Sequence, residues 1–384
     1  MKIGIPREIR PGENRVAISP EAIKKLTGMG VEVVVEAGCG TGSCVTDQEY
    51  QEAGASVAPD AAAALGDADL VFKVQRPMTV EEGTDEIALM KEGAILVGHL
   101  ATLSNPNASP SYNARNLTTF AMDLMPRISR AQSMDVLSSQ SNLAGYKAVV
   151  DAATEHVSAF PMMMTAAGTV APARVFIMGV GVAGLQAIAT AKRLGAVVTA
   201  YDVRPATREQ VESLGGKFLI VDEKAMKDAE TAGGYAKEMT EEYKQKERQV
   251  LADHVKDQDI VITTALIPGR PAPVLVTREM VESMKPGSVI VDLAVETGGN
   301  CECAERGIVA EHQGVRIIGY DNMPARLARD ASNLFAKNIL NFLTPHIDAE
   351  NGALNLDWED ETIAETVVTR DGEVVNARIK ELMS

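Results

Sequence analysis

Three glycines and one acid carry the clearest chemistry in the chain. Gly179, Gly181 and Gly184 are spaced Gly-x-Gly-x-x-Gly, and Asp202 follows them. Val175-Phe176-Ile177-Met178 before the glycines is an unbroken apolar run. After them, Leu185, Ile188, Ala189 and Leu194 recur at helical spacing as far as Gly195, and a second apolar run, Val197 to Tyr201, delivers Asp202. Strand, glycine turn, helix and second strand make a dinucleotide-binding signature. The first glycine permits a tight turn, the second lets backbone approach a pyrophosphate, and the third lets the helix pack close on the strand. Val182 opens the helix, whose free N–H groups serve the phosphates. Asp202 is placed to accept hydrogen bonds from an adenosine ribose, with Val203 and Arg204 completing that edge. Its charge repels a 2′-phosphate, so the cofactor reads as NAD(H) rather than NADP(H). Arg204 could hold such a phosphate, but an arginine solvated or satisfied within its own loop is the stronger reading.

The elements that position these residues alternate along the chain. Strands are expected at Lys2–Pro6, Glu32–Glu36, Asp69–Val74, Ala94–Val97 and Thr118–Met122. Ser19-Pro20-Glu21 supplies a cap, a proline and a first-turn acid, starting a helix that ends near Gly28 and Gly30. This pattern indicates a parallel α/β domain ending near Met125. After Asp202, strands at Phe218–Val221, Asp259–Thr264, Val289–Asp292 and Arg316–Gly319 bring the second domain to six. Thr264, Ala265 and Leu266, at the end of one of them, are counted among the cofactor contacts. The expected fold is α/β: two parallel-sheet Rossmann-like domains, the second a full dinucleotide-binding fold (139–328) inserted in the first (1–138 plus 329–384). At 384 residues the chain is too long for one ordinary core, which agrees with two domains.

Three stretches fall outside that alternation. Pro126–Val149 is polar in its first half, with Arg127, Arg130, Gln132 and Asp135, and becomes a helix from about Gln140 to Ala153; it reads as a long functional loop leading into a connecting helix. The connection from Asp222 to Gln258 contains Ala232-Gly233-Gly234-Tyr235-Ala236 and a charged helix at about Glu241–Lys256. Glycines beside one aromatic suggest a hinge and a tip, hence a mobile flap over the cofactor with Gly234 and Tyr235 as contacts. Pro324–Phe342 is an amphipathic helix, apolar at Leu327, Ala331, Leu334, Ile339 and Phe342, that returns the chain to the first domain. The tail from Ile347 is acidic, with a hairpin signal at Arg370-Asp371-Gly372.

Composition narrows the partners. A net charge of −16 argues against binding nucleic acid or anionic lipid through a general basic surface. MKIGIPREIR has no apolar signal-peptide core, and no uncharged apolar run reaches the roughly 18 residues of a membrane span. Four cysteines do not make a disulfide framework, and a reducing cytosol is the default. Cys301-x-Cys303 has no second pair or histidine at ligand spacing, so no metal is expected.

Several motifs point to one family. Lys2-Ile-Gly-Ile-Pro-Arg-Glu, Glu13-Asn14-Arg15-Val16-Ala17 and Gly40-x-Gly42-Ser43 resemble the opening shared by alanine dehydrogenases and proton-translocating transhydrogenases. So do Lys73-Val74-Gln75-Arg76-Pro77, His99-Leu100-Ala101 and Gly287-Ser288-Val289-Ile290-Val291-Asp292. Nearly the whole chain is covered. Within that group it resembles the soluble NAD(H)-binding component, domain I, of NAD(P)⁺ transhydrogenase. Arg127, Gln132, Asp135 and Ser138 match the segment that holds the nicotinamide, where alanine dehydrogenases have a much shorter connection. Ile128, Ser129, Leu137 and Ser139 flank them as further contacts, and Ala232–Met239 is similar to the mobile loop of that domain. Alanine dehydrogenases carry a catalytic lysine where this chain has Gln75, and an Asp motif where it has Glu296-Thr297-Gly298-Gly299.

The resemblance implies hydride transfer between NADH here and NADP⁺ on a partner, coupled by the assembly to proton translocation. Arg127 and Gln132 would hydrogen-bond the carboxamide side of the ring, Asp135 would orient Arg127, and Ser138 would fix the ring face. It also implies a homodimer that docks on a membrane-spanning and an NADP(H)-binding component at the cytoplasmic face of the bacterial inner membrane. The chain's end at Ser384, without a membrane segment, fits an arrangement in which this component is a separate subunit. Arg15, Lys73 and His99 would persist as a relic pocket. The alternatives are an amino-acid dehydrogenase acting on alanine and a non-catalytic NADH sensor. Gln75 speaks against the first and the nicotinamide segment against the second.

Overall fold

The structure is a computed structural model that describes residues 1–222, 241–267, 269–348, 350 and 352–383. The chain forms two compact units, Met1–Gln140 with Pro324–Ser384, and Ser141–Met323. Both are α/β, with sheets that are mainly parallel.

In the first unit β1 (Lys2–Ile5), β2 (Glu32–Glu36), β3 (Ser56–Ala58), β4 (Leu70–Gln75), β5 (Ile95–His99) and β6 (Thr118–Ala121) run parallel. Leu70, Phe72 and Val74 enter one apolar cluster and Val71 another, so the sheet is covered on both faces. That is why its strands read as continuous apolar runs rather than alternating ones. The Ser19 hydroxyl accepts the Ala22 N–H at 3.3 Å and starts the helix Pro20–Gly28 as its sequence predicts.

The second unit opens with an antiparallel hairpin, β7 (Met163–Thr165) and β8 (Gly168–Val170). Every residue from Pro161 to Ala171 is exposed, including Met162, Met163 and Met164. Then come β9 (Arg174–Met178), β10 (Val197–Tyr201), β11 (Lys217–Phe218), β12 (Ile260–Thr263), β13 (Val289–Asp292), β14 (Val309–His312) and β15 (Val315–Ile318). They form one sheet in the order β11-β10-β9-β12-β13-β15-β14, antiparallel only at β14. Val175 and Ile177 pack into one cluster, Phe176 and Met178 into the other. Strand order reverses at β9, so the turn after Met178 occupies the switch point where doubly wound sheets bind ligands.

The chain then returns to the first unit through the helix Ala328–Leu343. Asp371 and Gly372, at φ 52° and 78°, turn β16 (Val367–Arg370) back on β17 (Glu373–Val374). This is the hairpin expected from Asp-Gly. β16 pairs antiparallel with β6, giving the eight-stranded order β17-β16-β6-β5-β4-β1-β2-β3.

Some elements depart from the sequence expectation. β3 and the hairpin β7–β8 are only three residues long, and β14 is a short edge strand; each is fixed by pairing with a neighbour rather than by its own pattern. In the helix Ala328–Leu343, Ala331, Phe335, Ile339 and Phe342 face the core, whereas Leu334 lies off that stripe and is exposed. Likewise Leu194, read as part of the apolar face after the glycine turn, is exposed; the packed face is Gly184, Ala187, Ile188 and Ala191.

Candidate nucleotide-binding site

The glycine turn in the second unit shows three different demands for glycine. Gly179 has φ +100°, and a Cβ there would sit 2.6 Å from Thr264 Oγ1. That hydroxyl donates to Gly179 O at 3.0 Å and ties the turn to the end of β12. Gly184 brings the helix Val182–Arg193 against the turn: an added Cβ would lie 1.9 Å from Gly179 O. Gly181 differs, because no protein atom lies within 4 Å of where its Cβ would be. It precedes the helix in extended conformation and offers no side-chain cap. The first-turn N–H groups are therefore available to an anion, with room for a pyrophosphate beside Gly181.

Asp202, at the end of β10, is only 7 % exposed. Its carboxylate accepts the Val180 N–H at 2.7 Å and the Arg204 N–H at 2.8 Å. It also accepts Arg204 Nε at 2.9 Å and Nη2 at 3.0 Å. Arg204 is thus satisfied within its own loop, and Val203 beside it is exposed.

Thr264, Ala265 and Leu266 leave the sheet after β12 and are held by a residue that no sequence motif singles out. The fully buried Asn300 amide accepts the Ala265 N–H at 3.1 Å and donates to Ala265 O at 2.9 Å and Pro273 O at 2.7 Å. Its own N–H bonds Asp292 at 2.7 Å, and Asp292 also accepts the N–H groups of Ala294 and Cys301. Burial raises the Asp292 pKa against the opposing pull of those N–H groups. The result is a fixed segment that presents Leu266 to solvent. The only sign of it along the chain is an acid ending an apolar strand and an asparagine closing Gly298-Gly299.

In the first unit the segment after Pro126 is built, not solvated. Ser129–Met134 is a 3₁₀ helix whose Ala131 and Met134 are buried in the core. Asn338 and Asn341 both donate to Ser133 O, at 2.8 and 3.1 Å, and Arg130 makes a forked pair with Asp360. The following α-helix starts at Val136, earlier than the expected Gln140, because Asp135 caps it. Asp135 accepts the Ser138 N–H at 2.9 Å and the Ser138 hydroxyl at 2.5 Å. Asp135 therefore engages Ser138 and does not orient Arg127. Ser139 donates to Asn338 at 2.7 Å, Leu137 is exposed and Ile128 half-buried. Arg127, Ser129 and Gln132 are exposed, and the side chains of Arg127 and Gln132 have no hydrogen bond or ion pair among the described residues. Gly234 and Tyr235 lie outside the described residues.

The first unit has its own switch point, between β1 and β4. There the fully buried Lys73 lies 2.5 Å from Glu86 and 3.2 Å from Glu8. Burial alone would lower the ammonium's pKa, but the two carboxylates outweigh it and raise it. Arg15 grips Glu13 with two nitrogens, at 2.7 and 2.8 Å, and donates to Gln140 at 2.8 Å. Gln75 donates to Glu13 at 2.6 Å. Burial would raise the Glu13 carboxyl, yet Arg15 and Gln75 overcome it and hold its pKa at about 2. Both cations of this crevice are matched by carboxylates of the chain itself. His99 ends β5 half-buried beside it in the sheet. Among the described residues no group of three or more His, Cys, Asp or Glu is placed to hold a metal, and no helix is long and apolar enough to cross a membrane.

Residues 4–144 match the N-terminal domain, and residues 148–377 the C-terminal domain, of the alanine dehydrogenase/PNT family. The chain is 64% identical to the first of the separately encoded pieces of the NAD(P) transhydrogenase alpha subunit of Rhodospirillum rubrum, over 98% of each sequence. A solved transhydrogenase structure from Sinorhizobium meliloti superposes with a TM-score of 0.88 at 54% identity, covering 98% of this chain and 100% of that one. An L-alanine dehydrogenase structure superposes at 0.80 and 26% identity, over 100% and 99%.

Two predictions come from this geometry. Gly184→Ala should destabilise the protein by about 1–3 kcal/mol, because backbone must move. Gly181→Ala should leave the unfolding midpoint unchanged and weaken NADH binding. Denaturant titration and NADH titration of both variants check this; equal effects on stability would contradict the division of roles. Second, the depressed Glu13 pKa means that its stabilisation is complete above the unfolded glutamate pKa of roughly 4.3 and is lost as pH falls toward about 2. Urea unfolding at a series of pH values should therefore show a steeper acid loss for wild type than for Glu13→Gln, by on the order of 1–3 kcal/mol. Parallel curves would show that Glu13 is not held charged.

Proposed function

Since the chain belongs to the alanine dehydrogenase/PNT family, and within it to the NAD(P) transhydrogenase alpha subunits, we propose that it is the NAD(H)-binding component of a proton-translocating transhydrogenase. NADH bound here gives its hydride to NADP⁺ bound on a partner subunit, and the assembly couples that exchange to proton movement. The observation that carries this reading over an amino-acid dehydrogenase is Gln75. Reducing a carbonyl requires a proton as well as a hydride. A glutamine amide spent on Glu13 has no proton to give, and Lys73 is locked between Glu8 and Glu86. Hydride exchange between two nicotinamides needs no general acid. It needs the two rings held with their reacting carbons roughly 3–3.5 Å apart.

In this proposal the helix Val182–Arg193 receives the pyrophosphate and Asp202 the adenosine ribose. Thr264–Leu266 line the same nucleotide. Arg127 and Gln132, the two polar side chains of their segment without an internal partner, hold the nicotinamide carboxamide. Asp135 and Ser138 act one step back: they cap the helix from Val136 and set the end of that segment. The carboxylate at Asp202 favours NAD(H), and NADP(H) belongs to the partner. Docking on a membrane-spanning partner would place the chain at the cytoplasmic face of the membrane.

We propose further that the chain is a homodimer and that the hairpin β7–β8 contributes to the contact. Two strands alone are marginal in water, and this pair exposes three consecutive methionines without a charge between Pro161 and Ala173. Met164→Asp should shift the sedimentation of the purified protein from dimer toward monomer; an unaltered dimer would exclude the hairpin.

The protein should bind NADH in preference to NADPH and show no alanine-dependent reduction of NAD⁺; sustained turnover with alanine would sink the proposal. Arg127→Ala should slow hydride exchange with an NADP(H)-binding transhydrogenase component by roughly tenfold or more, and change NADH affinity by less than about threefold. Equal losses in both would refute an orienting role.

A further inference from the structure

A carboxylate offers about four lone-pair positions. At Asp202 all four are taken: Oδ1 accepts the Arg204 N–H and Nε, and Oδ2 accepts the Val180 N–H and Arg204 Nη2. The same Nη2 reaches Val180 O at 3.2 Å, so the guanidinium lies across the junction of the acid and the glycine turn. Two of the four donors, the N–H groups of Val180 and Arg204, are fixed by the backbone. The other two belong to a side chain that is 41% exposed and can leave without unfolding anything. Asp202 itself is nearly inaccessible while the guanidinium is in place.

We propose that Arg204 is a displaceable cap on the ribose acceptor and thereby sets affinity and specificity for the nucleotide. The inference rests on the reading of Asp202 as the ribose ligand. Ribose hydroxyls can bond the carboxylate only where Arg204 Nε and Nη2 now donate. Binding therefore exchanges two charge-assisted hydrogen bonds for two from neutral hydroxyls, which are the weaker kind. The exchange lowers the affinity for NADH and speeds its release. That suits a component whose nucleotide must leave after every hydride transfer. The cap also bears on discrimination. Arg204 offsets the Asp202 charge that repels a 2′-phosphate, so its removal leaves that charge unopposed.

The test titrates the full chain and three variants, Arg204→Ala, Arg204→Lys and Asp202→Asn, with NADH, ADP-ribose, nicotinamide mononucleotide and NADPH. Arg204→Ala should bind NADH and ADP-ribose about three- to tenfold more tightly and release NADH more slowly. Nicotinamide mononucleotide, which lacks the adenosine, should be unaffected, and the preference for NADH over NADPH should widen. Arg204→Lys, with one donor group in place of a fork, should fall between wild type and alanine. A loss of structure at position 204 would weaken every ligand, so a selective gain for adenosine-bearing ligands separates the cap from a merely structural role. Unchanged or weaker NADH binding by Arg204→Ala overturns the proposal. Asp202→Asn tests the underlying reading separately: NADH binding as tight as in wild type would show that Asp202 does not hold the ribose, whatever Arg204 does.

Discussion

The second unit depends on the contact between Gly184 and the carbonyl of Gly179. That approach, closer than any side chain permits, seats the helix Val182–Arg193 on the end of β9 and aims its N-terminus along the crevice. Other features of the nucleotide end are arranged around the same turn. Asp202 reaches it through the Val180 N–H, Thr264 through the Gly179 carbonyl, and Asn300 fixes the segment that carries Thr264. A helix terminus is a modest anion site on its own. Held against a rigid sheet edge with an acid beside it, the terminus becomes selective.

The first unit illustrates how buried charge can close off a site. Lys73 and Arg15 stand at a switch point, where α/β sheets usually receive ligands. Each is matched by carboxylates within 3.2 Å, and Gln75 supplies an amide where acid–base chemistry would need an ionisable group. Removing one partner of such a network leaves an uncompensated buried charge, so the cluster holds itself in place. This gives a physical reason for a fold shared with alanine dehydrogenases to work without a carbonyl substrate.

Much of this was legible in the sequence because the signals were strong and local. β2, β10 and β13 begin and end where their apolar runs do, and the glycine turn falls at the switch point that its spacing requires. The Asp-Gly turn at Asp371 likewise has only one good conformation. What stayed hidden depends on partners distant in sequence. β3 and β14 are strands because a neighbour pairs with them, and Asn300 matters because Ala265 and Pro273 come to it. Asp135 shows the same limit from the other side. Its spacing to Ser138 is that of a helix cap, and that local bond takes the carboxylate that the motif had suggested for Arg127.

The central claim is that this chain presents NADH for direct transfer to another nicotinamide, with no proton-transferring group between. Transfer from NADH carrying deuterium at the reactive C4 position, in a mixture with the NADP(H)-binding transhydrogenase component and NADP⁺, tests it most directly. The account predicts that the label appears in NADPH without dilution by solvent. Label lost to water, or NADPH formed without it, would contradict the account.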